Sequence, residues 1–302
     1  MKIAEKKFQK RKFALVVLVT MMFLAAYAHH KYASKPVITG KLQDKEMNEI
    51  SGIAASAVNK GVLYVHNDSG DTSRFFAIDE TGKLNATYYF HGLEGAPYGV
   101  RDCEDIAVGP GPLKGKSYIY VGDIGDNGAV RNHIAVYRIA EPNGVATGSK
   151  TVASTPVYLK YPDGPRDAET LMIDPLEKLI YIVSKRQDSV TVYTAPLAFK
   201  TSDTITLTKR CKLFFAGFRP LKWITAGDIS ADGKQILLKS YMNIYYWKRE
   251  PGVPVWKVMM QKPEELNYEQ EKQGEAIGFT RDGKSFYTTS EGVFSPIYKY
   301  VL

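Results

Sequence analysis

Two short stretches of the chain combine residue types that readily do chemistry. RDCEDIAV at 101–108 and RDAETLMI at 166–173 each place Arg-Asp, one small residue and a glutamate directly before an apolar run. Weaker relatives of this phrase occur at 49–54, 226–231 and 274–279. Carboxylates that recur in this way can bind a divalent cation, or can act as acids and bases in hydrolysis.

Aligning the five phrases on their apolar positions gives one column of candidate metal ligands: Ser51, Glu104, Glu169, Gly227 and Glu275. Three glutamates that converge on one axis repel one another by roughly a few kcal/mol per pair. A hard cation such as Ca²⁺, which takes six to eight oxygen ligands, would neutralise them. At the glycine, a backbone carbonyl or a water would have to serve. Because the column contains no histidine or cysteine, the sequence predicts calcium as the cofactor rather than zinc or copper.

Ion pairing is the alternative to a metal. Arg101 and Arg166 stand beside Asp102 and Asp167, and lysines lie nearby in the sequence. These cations could neutralise the acids without any ion. If a metal is bound, the two arginines would instead hold the two aspartates in place from behind. The sequence leaves both interpretations open.

A second group of polar residues lies in the turns that follow the second strand of each repeat. The candidate catalytic residues are His66, Asp68 and Asp123. The candidate substrate-binding residues are Lys185, Arg186, Lys239 and Arg131. Tight turns alone explain Gly70, Asp71, Asp126 and Asn127. Acids beside cations suggest an anionic substrate held near a metal, and phosphate is the obvious group.

The elements that must position these residues are short strands. Each phrase is followed by runs of four to eight β-branched and aromatic residues, with Gly, Pro, Asn or Asp between them. The sequence therefore predicts an all-β, five-bladed β-propeller in one domain, residues 36–302. The last repeat lacks one strand, which PVITGKL at 36–42 would supply. In the fourth repeat we expect VWKVMMQKP at 255–263 as the outer strand and residues 262–273 as a loop.

The N-terminus reads as a targeting segment. Residues 1–12 are basic, residues 13–28 are apolar apart from Thr20, and Ala26-Tyr27-Ala28 resembles a cleavage site. We expect residues 1–28 to be either a cleaved export signal or an N-terminal membrane anchor, followed by a linker at 29–35. Both readings place the body outside the cytoplasm, periplasmic or secreted. Cys103 and Cys211 could pair there, but two separate thiols are the preferred interpretation.

The charge of the chain argues against nucleic acid as a partner. The net charge is +8, but residues 1–12 hold six basic residues and one acidic one, which leaves +3 for the rest. No basic stripe with interleaved aromatic residues is present in the sequence. We expect a monomer that binds a small anionic ligand and contacts a membrane only through its N-terminal segment.

The column of Ser, Glu, Glu, a small residue and Glu resembles that of the calcium-activated nucleotidase (apyrase) propellers. This resemblance implies a calcium ion in the central channel and hydrolysis of nucleoside diphosphates. It departs at Gly227, where a serine would be expected, and that family's nucleotide-contacting motifs cannot be traced here. Calcium therefore carries over better than the activity does.

A closer resemblance is to exported bacterial propeller proteins with HNDSGD, YVGDIGDN and Asp-Ala-Glu-Thr-Leu phrases. These stand at 66–71, 120–127 and 167–171. The resemblance implies a fold and a compartment but no reaction. Three functions stay open from the sequence: a metal-dependent phosphohydrolase, a non-catalytic binding propeller at the cell envelope, and a sugar or lactone hydrolase. Fold alone cannot choose among them.

Overall fold

A computed structural model describes residues 35–302 apart from Glu94 and Pro97. It contains five mainly antiparallel sheets, the blades of a propeller. Blade one comprises β2 (Ile50–Ala55), β3 (Val62–Asn67), β4 (Arg74–Asp79) and β5 (Leu84–Phe90). Blade two comprises β6 (Cys103–Pro110), β7 (Ser117–Asp123), β8 (Ile134–Ala140) and β10 (Ser154–Lys160). The predicted signal or anchor at 1–28 lies outside the described residues, as do residues 29–34 of the linker.

Three further blades complete the circle. Blade three comprises β11 (Ala168–Asp174), β12 (Leu179–Ser184), β13 (Ser189–Pro196) and β15 (Thr208–Phe214). Blade four comprises β16 (Ile224–Ile229), β17 (Gln235–Ser240), β18 (Ile244–Lys248) and β19 (Glu264–Leu266). Blade five comprises β20 (Gly274–Phe279), β21 (Ser285–Ser290), β22 (Pro296–Val301) and β1 (Val37–Lys41). The innermost strands β2, β6, β11, β16 and β20 contact one another in turn around a channel.

The first strand of the chain closes the propeller, as predicted. Strand β1 pairs antiparallel with β22, so residues from both ends of the described chain build blade five. Two additional strands reach back to the preceding blade: β9 (Gly148–Val152) lies parallel to β5, and β14 (Asp203–Thr206) lies parallel to β10. These pairings cover strand edges that would otherwise invite association.

Five hydrophobic clusters, one at each interface between neighbouring blades, form the core. Because the strands of a blade are covered by a neighbouring blade on both faces, strands such as β3 and β11 are buried along their whole length. This accounts for their continuous apolar runs, which lack the alternation of a half-exposed strand.

Blade four corrects one prediction from the sequence. Residues Val255–Met259, expected as a strand, form the short helix α1. Its buried residues Val255, Val258 and Met259 are spaced three and four apart, which places them on one helical face against the core between blades three and four. The outer strand is β19, which lies within the stretch that we expected to be a loop.

Candidate metal centre

Every innermost strand contains a β-bulge at the same point. The pairing register with the second strand slips after Ile50, Cys103, Ala168, Ile224 and Gly274. Bulges near channel rims re-aim the extra residue. The five bulged residues are Ser51, Glu104, Glu169, Thr225 and Glu275, and all are buried. We call these residues the inner ring.

Four of the five residues that we predicted as metal ligands lie in the inner ring, and the fifth, Gly227, lies outside it. Gly227 lies two residues beyond the bulge, where a Cβ would come within 2.7 Å of the Leu238 side chain. Thr225 occupies the ring position instead. Its hydroxyl donates a 3.2 Å hydrogen bond to the Gly274 carbonyl, as Ser51 donates a 2.8 Å bond to the Glu104 carbonyl. The two hydroxyl residues therefore link neighbouring blades, and the three glutamates carry the charge.

A second ring lies beside the inner ring, one residue past the end of the second strand of each blade. The last residues of these second strands each pair with the residue before a bulge: Asn67, Asp123, Ser184, Ser240 and Ser290. The residues that follow them form what we call the mouth ring: Asp68, Ile124, Lys185, Tyr241 and Glu291. Four of these five side chains contact or approach the inner glutamates, so the channel mouth is built from two stacked rings.

Lys185 supplies an internal cation to two of the three glutamates. Its Nζ pairs with Glu169 and lies 3.8 Å from Glu275 Oε1, and its side chain is only 6% exposed. The ammonium also lies 5.4 Å from the centre of the Tyr241 ring, whose hydroxyl donates to Glu275. The ion-pair interpretation is therefore correct for this half of the ring, although the cation is not one of the two arginines.

The other half of the ring is acidic without a matching cation. Ligand oxygens of Asp68, Asp102 and Glu104 lie within 4.8 Å of one another. A Cβ on Gly125 would stand 2.2 Å from Glu104 Oε1 and 2.4 Å from Asp102 Oδ2, so only glycine leaves room for these carboxylates. Among the described residues, these three acids form no ion pair with lysine or arginine.

Asp68 also belongs to a second acidic group. Its carboxylate lies with those of Glu275 and Glu291 in a set whose ligand atoms are again within 4.8 Å of one another. Oxygen ligands therefore continue across the mouth from Asp102 to Glu291. An all-oxygen donor set of this kind suits Ca²⁺ and does not suit zinc or copper.

The electrostatics of the mouth reflect this excess of acid. Burial raises the pKa of Asp68 to about 7. Burial, together with repulsion from Asp167, raises the pKa of Asp102 to about 6. Burial raises the pKa of Glu104 well above its usual range, and repulsion from Asp68 adds to the effect. Burial and a hydrogen bond with Glu275 raise the pKa of Glu291 to about 8. A cation at this mouth would replace those protons.

We expect the metal-free protein to lose stability between pH 6.5 and pH 8. The folded state holds protons on Asp68, Glu104 and Glu291 that the unfolded chain, with carboxyl pKa values near 4, has already released, so stability falls as pH rises. Burial also raises the pKa values of Asp105 and Asp228, so these two groups lower stability as pH rises both with and without calcium. Chemical denaturation in chelator should show a decrease on the order of a few kcal/mol, and saturating calcium should shrink it.

The pH window is chosen to exclude two fully buried groups that oppose this trend. Burial lowers the pKa of His66 to about 4 and that of Lys239 to about 8, so their contributions fall mainly below and above the window. Stability that rises with pH across this window, or a fall in stability that calcium leaves unchanged, would contradict this account. It would mean that ionising the mouth carboxylates does not destabilise the metal-free protein.

The strand register sorts the remaining predicted site residues. His66 and Lys239 lie one residue before the ends of their strands, and both side chains are fully buried in the wall rather than at the mouth. His66 is fully buried, with Nδ1 2.8 Å from the Asn67 carbonyl and Nε2 without a partner. Lys239 is also fully buried, with Nζ bonded to the Gly274 carbonyl and 3.8 Å from Glu271. Neither side chain is placed to touch a substrate.

Asp123 and Arg131 position the backbone of the mouth. The Asp123 carboxylate accepts the N–H groups of Arg101 at 3.2 Å and Asp102 at 3.1 Å. Arg131 pairs with this carboxylate at 2.8 Å and donates to the Gly125 carbonyl at 2.6 Å. These contacts hold the start of β6, which carries Asp102 and Glu104. Asp123 and Arg131 therefore act by positioning those two acids.

The arginines correct another expectation. Arg166 pairs with Asp163 at 2.8 Å, not with Asp167, and Arg101 contributes a backbone N–H instead of a charge. Asp167 is held by Arg186 at 2.5 Å. The Arg186 side chain is 35% exposed and its guanidinium lies 4.8 Å from the Trp223 ring. Of the four predicted substrate-binding cations, Arg186 is the most accessible at the mouth.

Two mouth acids were not among the predicted ligands. Asp102 belongs to the Arg-Asp-x-Glu phrase, and Glu291 follows the serine that ends the second strand of blade five. Their common signal is position relative to a strand end, which becomes visible only when the strands are paired.

Two further features of the described chain bear on its setting. Cys103 and Cys211 are free thiols, as preferred from the sequence. In the part of the chain that the structure describes, no helix is long and apolar enough to cross a membrane.

Fold and site together define the class of the protein: a five-bladed β-propeller whose channel mouth presents clustered carboxylates. No protein-family model matches the chain, and a search of curated proteins finds no relative. Among solved structures, the chain is similar to a gluconolactonase from Xanthomonas campestris, with 14% identity and a TM-score of 0.46 over 84% of this chain and 72% of that one. It is also similar to the Dos1 propeller, with 12% identity and a TM-score of 0.40 over 83% and 68%.

Proposed function

We propose that this protein is an exported, calcium-binding β-propeller that hydrolyses a small phosphorylated or otherwise anionic substrate at its acidic mouth. The observation that carries the proposal is the group formed by Asp68, Asp102 and Glu104. Their oxygens share a space that Gly125 leaves open, and no lysine or arginine pairs with them among the described residues. Export is proposed from the basic and apolar pattern of residues 1–28.

Five side chains at the mouth have a part in this proposal. Asp102 and Glu104 hold the ion, with Asp68 shared between them and the second acidic group. A bound Ca²⁺ would polarise a substrate oxygen and make a coordinated water more acidic. Glu291, next to Glu275, would accept the proton of the attacking water once a bound cation has displaced its own proton. Arg186 uses its remaining N–H groups to bind the anionic part of the substrate.

Removing the shared carboxylate should abolish most of the activity. We expect Asp68→Asn to lower kcat/KM by about 100-fold or more, the scale on which a positioned acid, base or ligand contributes. Phosphate and proton release from nucleoside diphosphates, phosphate monoesters and lactones would be measured with calcium and with chelator. Asp232→Asn, at an exposed position in the turn between β16 and β17, is the matched control. Wild-type protein that turns over none of these substrates would overturn the hydrolase.

A non-catalytic binding propeller is the second candidate. The observation in its favour is that His66, Asp123, Arg131 and Lys239 are all committed to internal contacts, which leaves Arg186 as the accessible cation of the predicted set. This candidate expects capture of an anionic ligand or protein without turnover, and expects that capture to survive Asp68→Ala. Loss of capture in that variant would count against it.

A further inference from the structure

The channel has a second opening whose chemistry differs from that of the acidic mouth. A cavity of about 470 Å³ lies where the five innermost strands end, and each of them contributes residues to it or to the turn that follows. Representative positions are Ala55, Val108, Ile173, Ile229 and Phe279. Because the bulges lie at the starts of the same strands, this cavity occupies the opposite end of the channel.

The walls of this cavity are mainly apolar. Ala54, Ile173, Ile229 and Phe279 line it and are each at most 4% exposed, so they form a continuous surface in the propeller core. Gly109 keeps the wall compact, since a Cβ there would stand 2.5 Å from the Ile173 side chain. The volume falls within the range of roughly 300–1,000 Å³ that is typical of small-molecule sites.

The rim of the cavity is basic. Lys116, Lys178 and Arg281 line the opening and are exposed. None of the three side chains forms an ion pair with another described residue. The carboxylate in the lining, Asp228, is turned to the backbone, where it accepts the N–H groups of Ile229 and Phe279 at 2.8 Å each. Three unpaired cations therefore face the solvent above an apolar chamber.

We propose that this cavity binds an organic carboxylate with an aliphatic or aromatic body. The apolar part would lie against Ile173, Ile229 and Phe279, where each buried methylene should strengthen binding by roughly fourfold. The carboxylate would remain at the rim beside Lys116, Lys178 and Arg281, so no charge has to be buried. This site is separate from the acidic mouth and does not depend on the hydrolase.

Calorimetric titration with octanoate tests the proposal on the full protein. We expect saturable binding at one site per chain, with octanol and octylammonium binding at least about tenfold more weakly because they lack the anionic head. Reversing the rim with Lys116→Glu, Lys178→Glu and Arg281→Glu should weaken octanoate binding at least about fivefold, since three attractive exposed charge pairs become repulsive. The charge-matched control Lys83→Glu, Lys150→Glu and Lys212→Glu, at exposed positions outside the lining, should leave binding unchanged.

A second variant tests the chamber without altering charge. Ala55 is half-buried in the lining, and Ala55→Phe should fill the cavity and reduce octanoate binding at least about tenfold while the protein remains folded by circular dichroism. Equal weakening by both charge-reversal triples would overturn the proposal. So would octanol binding as tightly as octanoate, or octanoate binding that Ala55→Phe leaves unchanged in folded protein.

Discussion

Replacing Asp102 with asparagine and Glu104 with glutamine should abolish the stabilisation that calcium gives to the wild-type protein. An ion that binds only the folded state stabilises it by about 2.7 kcal/mol at a concentration 100 times Kd. For a domain of this size, that corresponds to a rise in melting temperature of roughly 5–10 °C. The variant lacks two of the three carboxylates in the group with Asp68, so its melting temperature should not respond to calcium.

The same variant should be at least as stable as the wild-type protein in chelator. Its two amides replace carboxylates whose ionised forms are disfavoured by burial and by mutual repulsion. Thermal melts with and without calcium measure both effects at once. Glu250→Gln with Glu264→Gln, at exposed positions, changes the net charge equally and should leave the calcium response intact. A variant that is less stable in chelator yet still responds to calcium would contradict the assignment.

Replacing Lys185 with methionine should be the most damaging single change at the mouth. The ammonium is buried between Glu169 and Glu275, and its removal leaves their charges uncompensated. Breaking a buried ion pair on one side costs about 3–5 kcal/mol. In chelator we therefore expect a fall in melting temperature of roughly 10 °C, and calcium should recover part of it because the ion can approach the released carboxylates.

Two comparisons separate loss of charge from loss of packing in that variant. Lys178→Met removes an exposed lysine and should have little effect. Adding Glu169→Gln to Lys185→Met removes the charge left behind and should restore more than half of the lost stability. If the double variant were as unstable as Lys185→Met, the damage would come from packing, and the charge balance proposed for the ring would be wrong.

The fold could be predicted from the sequence because propeller blades repeat. Five phrases, each followed by short β-rich runs, indicate the number of blades, and the strand-like stretch at 36–42 indicates the closure. The outer strand of blade four could not be predicted in the same way. Val255, Val258 and Met259 are spaced as one face of a helix, and in so short an apolar run the two periods are hard to distinguish.

The site was less accessible to sequence reasoning because it depends on register. A shift of two residues along a strand leaves the facing pattern unchanged, so aligning the blade-four phrase on its apolar positions selected Gly227 instead of Thr225, the residue at the bulge. Two positions likewise separate Lys185, one residue past its strand end at the mouth, from a position such as that of Lys239, one residue before its strand end in the wall. The residue types of the inner ring could be read from the sequence. Whether the side chain of each turn residue points to the mouth or into the wall could not.

Direct titration of calcium into the metal-free protein tests the central claim most directly. Isothermal titration calorimetry should show saturable binding at one site per chain, with Kd in the micromolar to millimolar range that is typical of oxygen-ligand sites. The Asp102→Asn, Glu104→Gln variant should show no binding heat under the same conditions. Wild-type protein that binds no calcium, or a variant that binds it as tightly as the wild type, would contradict a calcium site at the acidic mouth.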